Sequence, residues 1–342
     1  MRLSTFLLLG LAAAAGCGGR GDGGRGDDPG DGADDGADPG ELTGSGPYFA
    51  RPMFWNRDVS GAPIARDSAS IIAGLRATGG WGAGDRLRID SSIEVLRADA
   101  AAPRRAFTPN ADFYTPDCDR MEVSLPPGGN LEGEPGYECR GGGDCHLIVL
   151  DEGAGTLYEM WRADVGPGGF RGGCLAAWDV GRAYGEALRG DHCASADASG
   201  FPIAPLLFTA DEVAAGEIDH AIRFVLPSDR SGRGFVRPAT HALDSVAPAN
   251  APPYGVHLRL RADYPIDALP SAGARTVARA LQRYGMYHAD RGEIALTAAS
   301  DRRTAAKWGG LLGARDLEAL DVEDFEVVDH GARITPTFHC ER

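Results

Sequence analysis

His146-Leu147-Ile148-Val149-Leu150-Asp151, then Glu152-Gly153-Ala154-Gly155, then Thr156-Leu157-Tyr158-Glu159-Met160-Trp161 reads as two short apolar-rich runs joined by a turn. Runs of this length around a glycine-containing link predict a β-hairpin. Pairing Asp151 with Thr156 sets Ile148 opposite Glu159 and leaves His146 on the same sheet face as Glu159. A polar residue in such a run must find a partner, because burying it unpaired costs several kcal/mol, roughly 2–7 by transfer measurements.

Outward from this hairpin, strands outnumber helices. Leu87 to Val95 alternates apolar and polar residues and predicts one long strand or two with a bulge. Ile218 to Leu226 and Phe235 to His241 predict a second hairpin around Pro227-Ser228-Asp229-Arg230-Ser231-Gly232, with His220 opposite His241. Val256 to Ala262 is a further strand, Met286 to Ala289 with Glu293 to Ala298 a third hairpin, and Phe325 to Val328 the last strand. Helices are expected at Ser68 to Thr78, before Gly79-Gly80, at Arg275 to Tyr284, before Gly285, and at Ala314 to Leu320. Pro103 to Gly143 reads mostly as loop. Hairpins favour antiparallel sheets, so the expected class is mainly β (α+β), an antiparallel β-sandwich or jelly-roll-like core with a few peripheral helices.

The N-terminal region has a different composition. Arg2 and the apolar run Leu3 to Gly16 predict a signal peptide over residues 1–16, and Ala14-Ala15-Gly16-Cys17 a lipoprotein-type processing site with Cys17 lipidated (palmitate). Residues 17–46 form a Gly/Asp-rich linker with no aromatic residue, which cannot build a core. Residues 47–342 are long enough for a single β-rich globular domain. Of the net charge of −15, residues 18–46 carry −6 and Arg2 carries +1, leaving −10 on residues 47–342. An acidic body argues against a nucleic-acid partner. The expected partner is the membrane, through the lipid at Cys17, and the expected location is the cell envelope, at the outer membrane or cell surface, since Gly18 is not the aspartate associated with inner-membrane retention.

Besides Cys17 there are Cys118, Cys139, Cys145, Cys174, Cys193 and Cys340. An even number in an exported chain predicts three disulfides, with fifteen possible pairings. No Cys-x-x-Cys pair supports zinc, and no cofactor is expected, a metal ion being the one alternative.

The sequence carries no GxSxG elbow, HExxH helix, phosphate-binding loop or dinucleotide fingerprint. Candidate chemistry therefore rests on polar residues inside apolar segments. Glu159 and Asp197 are the acid/base carboxylates, and His146, His220 and His241 position or transfer protons. Asp197 sits in the small polar loop Asp191 to Gly200, tied by Cys193. Arg223, within Ile222-Arg223-Phe224, is placed to bind an anionic or hydroxyl-rich substrate, with Trp161 and Asp290 as further substrate contacts.

The motifs Asp144-Cys145-His146, Ser195-Ala196-Asp197, His220-Ala221-Ile222-Arg223-Phe224, Pro238-Ala239-Thr240-His241 and Tyr284-Gly285-Met286, followed by Ala289-Asp290, span about residues 110–330. In these the chain resembles a family of uncharacterised secreted bacterial proteins. The resemblance implies an extracellular protein of the polysaccharide-handling kind and carries no mechanism. Asp290-Arg291-Gly292 stands where that pattern more usually has Asp-Asn-Gly.

Three functions follow as expectations: a carbohydrate-active enzyme cleaving a polysaccharide as a hydrolase or lyase, a non-enzymatic binding or adhesion protein, and a metal-dependent hydrolase built on His146, His220 and His241. Convergence of the polar residues in one place favours an enzyme, and their dispersion favours a binding protein.

Overall fold

The computed structural model describes residues 48–342; the signal peptide, Cys17 and the linker read from the sequence lie outside them. In chain order the strands are β1 (Ile89–Ile93), β2 (Val95–Ala98), β3 (Arg104–Arg105), β4 (Thr108–Pro109), β5 (Val123–Ser124), β6 (Leu147–Asp151), β7 (Thr156–Met160), β8 (Asp164–Gly166), β9 (Gly169–Gly172), β10 (Leu175–Asp179), β11 (Ile222–Leu226), β12 (His257–Leu260), β13 (Met286–Arg291), β14 (Leu296–Ala299) and β15 (Phe325–Val327). The class is mainly β (α+β), with two larger sheets facing one another as in a sandwich.

The hairpin at residues 146–161 forms with the expected register, Asp151 against Thr156 and Ile148 against Glu159. It is the centre of a four-stranded sheet ordered β10-β7-β6-β2. The larger sheet is ordered β1-β14-β11-β13-β12-β15 and is mixed, since β1 runs parallel to β14 and β11 parallel to β13. The long alternating strand around residue 90 divides between the two sheets as β1 and β2.

Two of the expected hairpins do not form. β11 does not pair with Phe235 to His241; it lies between β13 and β14. Every residue of β11 is buried, and a run that apolar is suited to the middle of a sheet with both faces covered. Phe235 to His241 distributes its hydrogen bonds instead: Phe235 N donates to Ile334 O, Val236 N to Tyr254 O, and Thr240 N and His241 N to Ser199 O. His220 and His241 are therefore not cross-strand partners. By the same insertion β13 and β14 are separated by β11, so the third hairpin is also absent. The expected helix at 314–320 is a series of turns, while the helices Ser68–Ala77 and Ala272–Arg283 form as expected. In the latter, the Ser271 hydroxyl accepts from Ala274 N at 3.1 Å, a side-chain cap of about 1 kcal/mol.

Alternation in β11 orients the site. Ile222, Phe224 and Leu226 pack with Leu75, Val277 and Leu281 on the helix side of the sheet. Arg223 therefore projects to the opposite side, toward the core that the two sheets share, where Leu150, Leu157 and Trp178 meet Tyr287, Ala289 and Phe201. The six cysteines pair as Cys118–Cys174, Cys139–Cys145 and Cys193–Cys340, the last fixing the C-terminus to the 191–200 loop.

Candidate functional site

Arg223 is 4 % exposed, so it needs partners for its charge and its five N–H donors. It finds Asp197, which is fully buried, through a two-point contact: Nε donates to Oδ2 at 2.8 Å and Nη2 to Oδ1 at 2.9 Å. Nη1 donates to Thr297 Oγ1 at 3.2 Å, and that hydroxyl donates to Arg223 O at 3.1 Å. The planar fork of Arg suits such a pairing in a way Lys could not.

Asp197 is delivered by a loop with few degrees of freedom left. Ser195 Oγ donates to Phe201 O at 2.6 Å and accepts from Asp197 N at 2.9 Å, while Ser199 N donates to Ala289 O at 2.9 Å. Gly200 has φ +83°, and a Cβ there would lie 2.0 Å from Thr240 Oγ1, so only glycine fits.

Asp290 is brought in by an irregularity. β13 follows β11 in parallel register, Arg223 against Tyr287 and Phe224 against His288, until a bulge places Asp290 opposite Val225. Partners across a ladder share a face, so the extra residue turns Asp290 onto the side that carries Arg223. Its Oδ2 lies 3.7 Å from Arg223 Nη2 and accepts from Ala198 N at 3.2 Å, and its side chain retains 22 % of its surface. Burial raises the pKa of Asp290, and the Asp197 anion raises it further, to about 8 against the pull of Arg223. Burial alone would also raise Asp197, but the Arg223 guanidinium overrides it and holds Asp197 below the usual range. The two carboxyls share a hydrogen bond whose proton belongs to Asp290.

His146 completes the cluster from the other sheet. Its Nδ1 donates to Glu132 Oε2 at 2.6 Å, and Nε2 donates to Ala196 O at 3.4 Å, next to Asp197. Burial opposes ionisation of both partners, but each charge overrides it, lowering Glu132 to about 2 and raising His146 to about 9. Near neutrality the cluster thus holds Glu132⁻ with His146⁺, Asp197⁻ with Arg223⁺, and an uncharged Asp290. Glu132 and Asp290 are its part-exposed carboxyls, at 17 % and 22 % of side-chain surface. Beside them Trp161 Nε1 donates to Asp144 Oδ1 at 3.0 Å, and Asp144 also acts on His146.

The other residues singled out from the sequence have separate surroundings. Glu159 is fully buried, and its carboxylate accepts from Ile203 N, Ala204 N and Trp178 Nε1 at 2.7–3.1 Å, which fixes the 201–207 turn to β7. Burial pushes it up to about 7 against the Ala204 and Ile203 amides. His220 is enclosed, with Nδ1 on Ala221 O at 2.8 Å and Nε2 on Glu212 Oε1 at 3.2 Å. His241 Nδ1 donates to Ala198 O at 2.8 Å, and burial lowers its pKa. His146, His220 and His241 thus serve three different partners and do not form a shared ligand set. The acid and sulfur group that does lie close together among the described residues is Glu134, Cys139 and Cys145, and those two cysteines are bridged to each other, leaving no thiolate for a metal.

Arg223, proposed from the sequence as a substrate clamp, is instead internally satisfied, and Asp290, read as a substrate contact, is an open member of the cluster. Glu132 and Thr297 were not singled out. Glu132 lies in the Pro/Gly-rich segment, where no periodicity marks a side chain, and Thr297 is one polar residue in an apolar strand. No known protein family, curated protein or solved structure matches the chain.

Proposed function

We propose that the chain is an envelope-anchored enzyme that cleaves a polysaccharide by acid/base chemistry at the Glu132–His146–Asp197–Arg223–Asp290 cluster. The observation that carries this reading is Asp290: a partly exposed carboxyl, hydrogen-bonded to a sealed aspartate whose charge keeps the proton on it. Maintaining an acid in its protonated form at neutral pH is what general-acid catalysis requires.

In the hydrolytic form, Asp290 gives its proton to the glycosidic oxygen as the C–O bond breaks. Glu132, ionised against His146, accepts a proton from the attacking water. Asp197 and Arg223 touch no substrate in this scheme; they set the Asp290 proton affinity and are positioning residues. Elimination would use the same donor and give an unsaturated product.

Lipid attachment at Cys17, with the acidic segment 18–46 as tether, would hold the domain at the cell envelope, in keeping with the family resemblance in the motifs. No helix among the described residues is long and apolar enough to cross a membrane.

The test is a screen of neutral and acidic polysaccharides with the full chain and with Asp290→Asn and Glu132→Gln. Expected is product release reduced at least about 100-fold in each variant with folding retained. Undiminished activity in Asp290→Asn refutes the assignment, and binding without turnover by the unaltered chain replaces the enzyme with a binding protein.

A further inference from the structure

A cavity of about 760 Å3 is lined by Arg233, Arg291 and Arg333 together with one carboxylate, Asp244, and with Ser228 and Phe338. The chain carries a net charge of −15, so arginines have carboxylates to choose from, yet none of these three forms an ion pair among the described residues. They donate instead to backbone oxygens: Arg233 Nε to Ser245 O at 2.7 Å, Arg291 Nη2 to Asp244 O, and Arg333 to Ala249 O at 3.0 Å, Ala251 O at 3.1 Å and Arg233 O at 3.4 Å. These contacts orient the guanidinium groups without neutralising them. Arg291 also has a buried Nε with no hydrogen-bond partner among the described residues. Three guanidinium groups against the single carboxylate of Asp244 leave the concavity with an excess of positive charge, and bound oxyanions are what guanidinium forks match.

The rim adds an aromatic platform. Phe338 is 52 % exposed and its backbone sits at φ 55°, a strained region for a residue with a Cβ. It is braced edge-on against His241, with ring centres 5.7 Å apart, and lies two residues from the Cys193–Cys340 bridge. An exposed ring held in one pose beside an anion site is suited to a sugar face. The chain links the two places: Arg291 follows Asp290 directly, and His241, which braces Phe338, bonds the residue whose N–H reaches Asp290.

We infer that this cavity binds a saccharide bearing an oxyanion, a uronate carboxylate or a sulfate ester, with the charge on Arg233, Arg291 and Arg333 and the ring over Phe338. The saccharide part rests on the proposed function; the anion part rests on the arginines alone. The pocket volume is within the roughly 300–1,000 Å3 range of small-ligand sites.

Calorimetric titration of the full, disulfide-intact chain with trigalacturonate, its fully methyl-esterified form, glucose 6-sulfate and inorganic sulfate tests it. The expected result is that an anionic sugar binds at least tenfold more tightly than the neutral ester and than inorganic sulfate. Which of the two anionic sugars binds names the source of the oxyanion. Arg291→Gln and Arg333→Gln are each expected to weaken binding about tenfold, and Phe338→Ala to weaken the sugar but not inorganic sulfate. Equal affinity for acid and ester, no binding by any probe at millimolar concentration, or unchanged affinity in arginine variants that melt like the parent overturns the inference. Arg233→Gln serves if one of the other two fails to fold. Asp290→Asn separates the two readings: it is expected to retain binding, so loss of turnover alone tests the cluster and loss of anion preference alone tests the cavity.

Discussion

Replacing Asp197 by Asn tests the electrostatic arrangement most directly. The substitution keeps shape but removes the anion that Arg223 contacts twice, at 2.8 and 2.9 Å, in a fully buried position. Leaving one partner of a buried ion pair uncompensated costs about 3–5 kcal/mol. A reserve is at hand, because Asp290 Oδ2 is 3.7 Å from Arg223 Nη2. Two unit charges at that separation attract by about 4 kcal/mol at an effective dielectric near 20. Once Asp197 is neutral, the repulsion that keeps the Asp290 proton on is gone, so Asp290 ionises and becomes the counter-ion. After the cost of ionising a part-buried acid, this returns about 1–2 kcal/mol, so Asp197→Asn alone costs about 2–3 kcal/mol at neutral pH. Asp290→Asn alone costs less than about 1 kcal/mol, since the amide still donates to Asp197. The double variant has no counter-ion left and pays the whole penalty, exceeding the sum of the singles by about 1 kcal/mol at the middle of these ranges. Urea unfolding of the four proteins with disulfides intact measures this coupling, and carboxyl NMR should show the Asp290 midpoint falling below neutrality in Asp197→Asn. Costs that add within about 0.5 kcal/mol would refute the reasoning, because independent sites behave that way.

Further expectations concern the neighbouring groups. His146 is raised from 6.5 to about 9 and Glu132 is lowered from 4.5 to about 2, so their pairing contributes stability in full between about pH 4.5 and 6.5, losing it as pH rises toward 9 and as it falls toward 2; His146→Gln should flatten the alkaline decline in thermal melts, and an unchanged profile argues against the pair. Asp290 is raised too, so its share of stability is present in acid and is lost between about pH 4 and 8, and Asp290→Asn should remove that slope. Glu159→Gln leaves at least one of its three donors unmatched and should cost about 1–3 kcal/mol, read from the urea midpoint; a loss of turnover with no loss of stability would instead restore Glu159 as a catalytic group. Removing the Cys193–Cys340 bridge, which spans 147 residues, should cost up to about 5 kcal/mol and loosen the 191–200 loop, and a melting temperature unchanged by Cys340→Ser paired with Cys193→Ser would show that packing alone fixes that loop.

Local pattern was informative wherever the partners are close in the chain. The register of the 146–161 hairpin followed from its four-residue link and the apolar-rich runs on either side, and the helix before Gly285 followed from its spacing and terminator. The same logic failed at Ile218–Leu226 and Met286–Ala298, because adjacency in sequence says nothing about a strand that slips between two others. β11 does so, since its five residues are all buried and only the middle of a sheet covers both faces.

Four of the residues singled out as acid/base groups or substrate contacts, His146, Asp197, Arg223 and Asp290, meet in space. Each was visible as a polar residue that burial would penalise. Which of them meet one another was not visible. That depends on β11 running parallel to β13, on a bulge that changes the parity of one strand and turns Asp290 around, and on the packing of a second sheet that brings His146 and Glu132 across. The cavity arginines gave no signal either, since an arginine that lacks a carboxylate can be recognised only when its neighbours are known. Residue chemistry and short-range periodicity are properties of the chain itself, and they carried the β-rich class, the need for disulfides and the identities of the groups requiring partners. Pairing energies depend on distances of a few ångströms between segments far apart in sequence, so the ion pairs, the protonated carboxyl and the disulfide connectivity were settled only by tertiary packing.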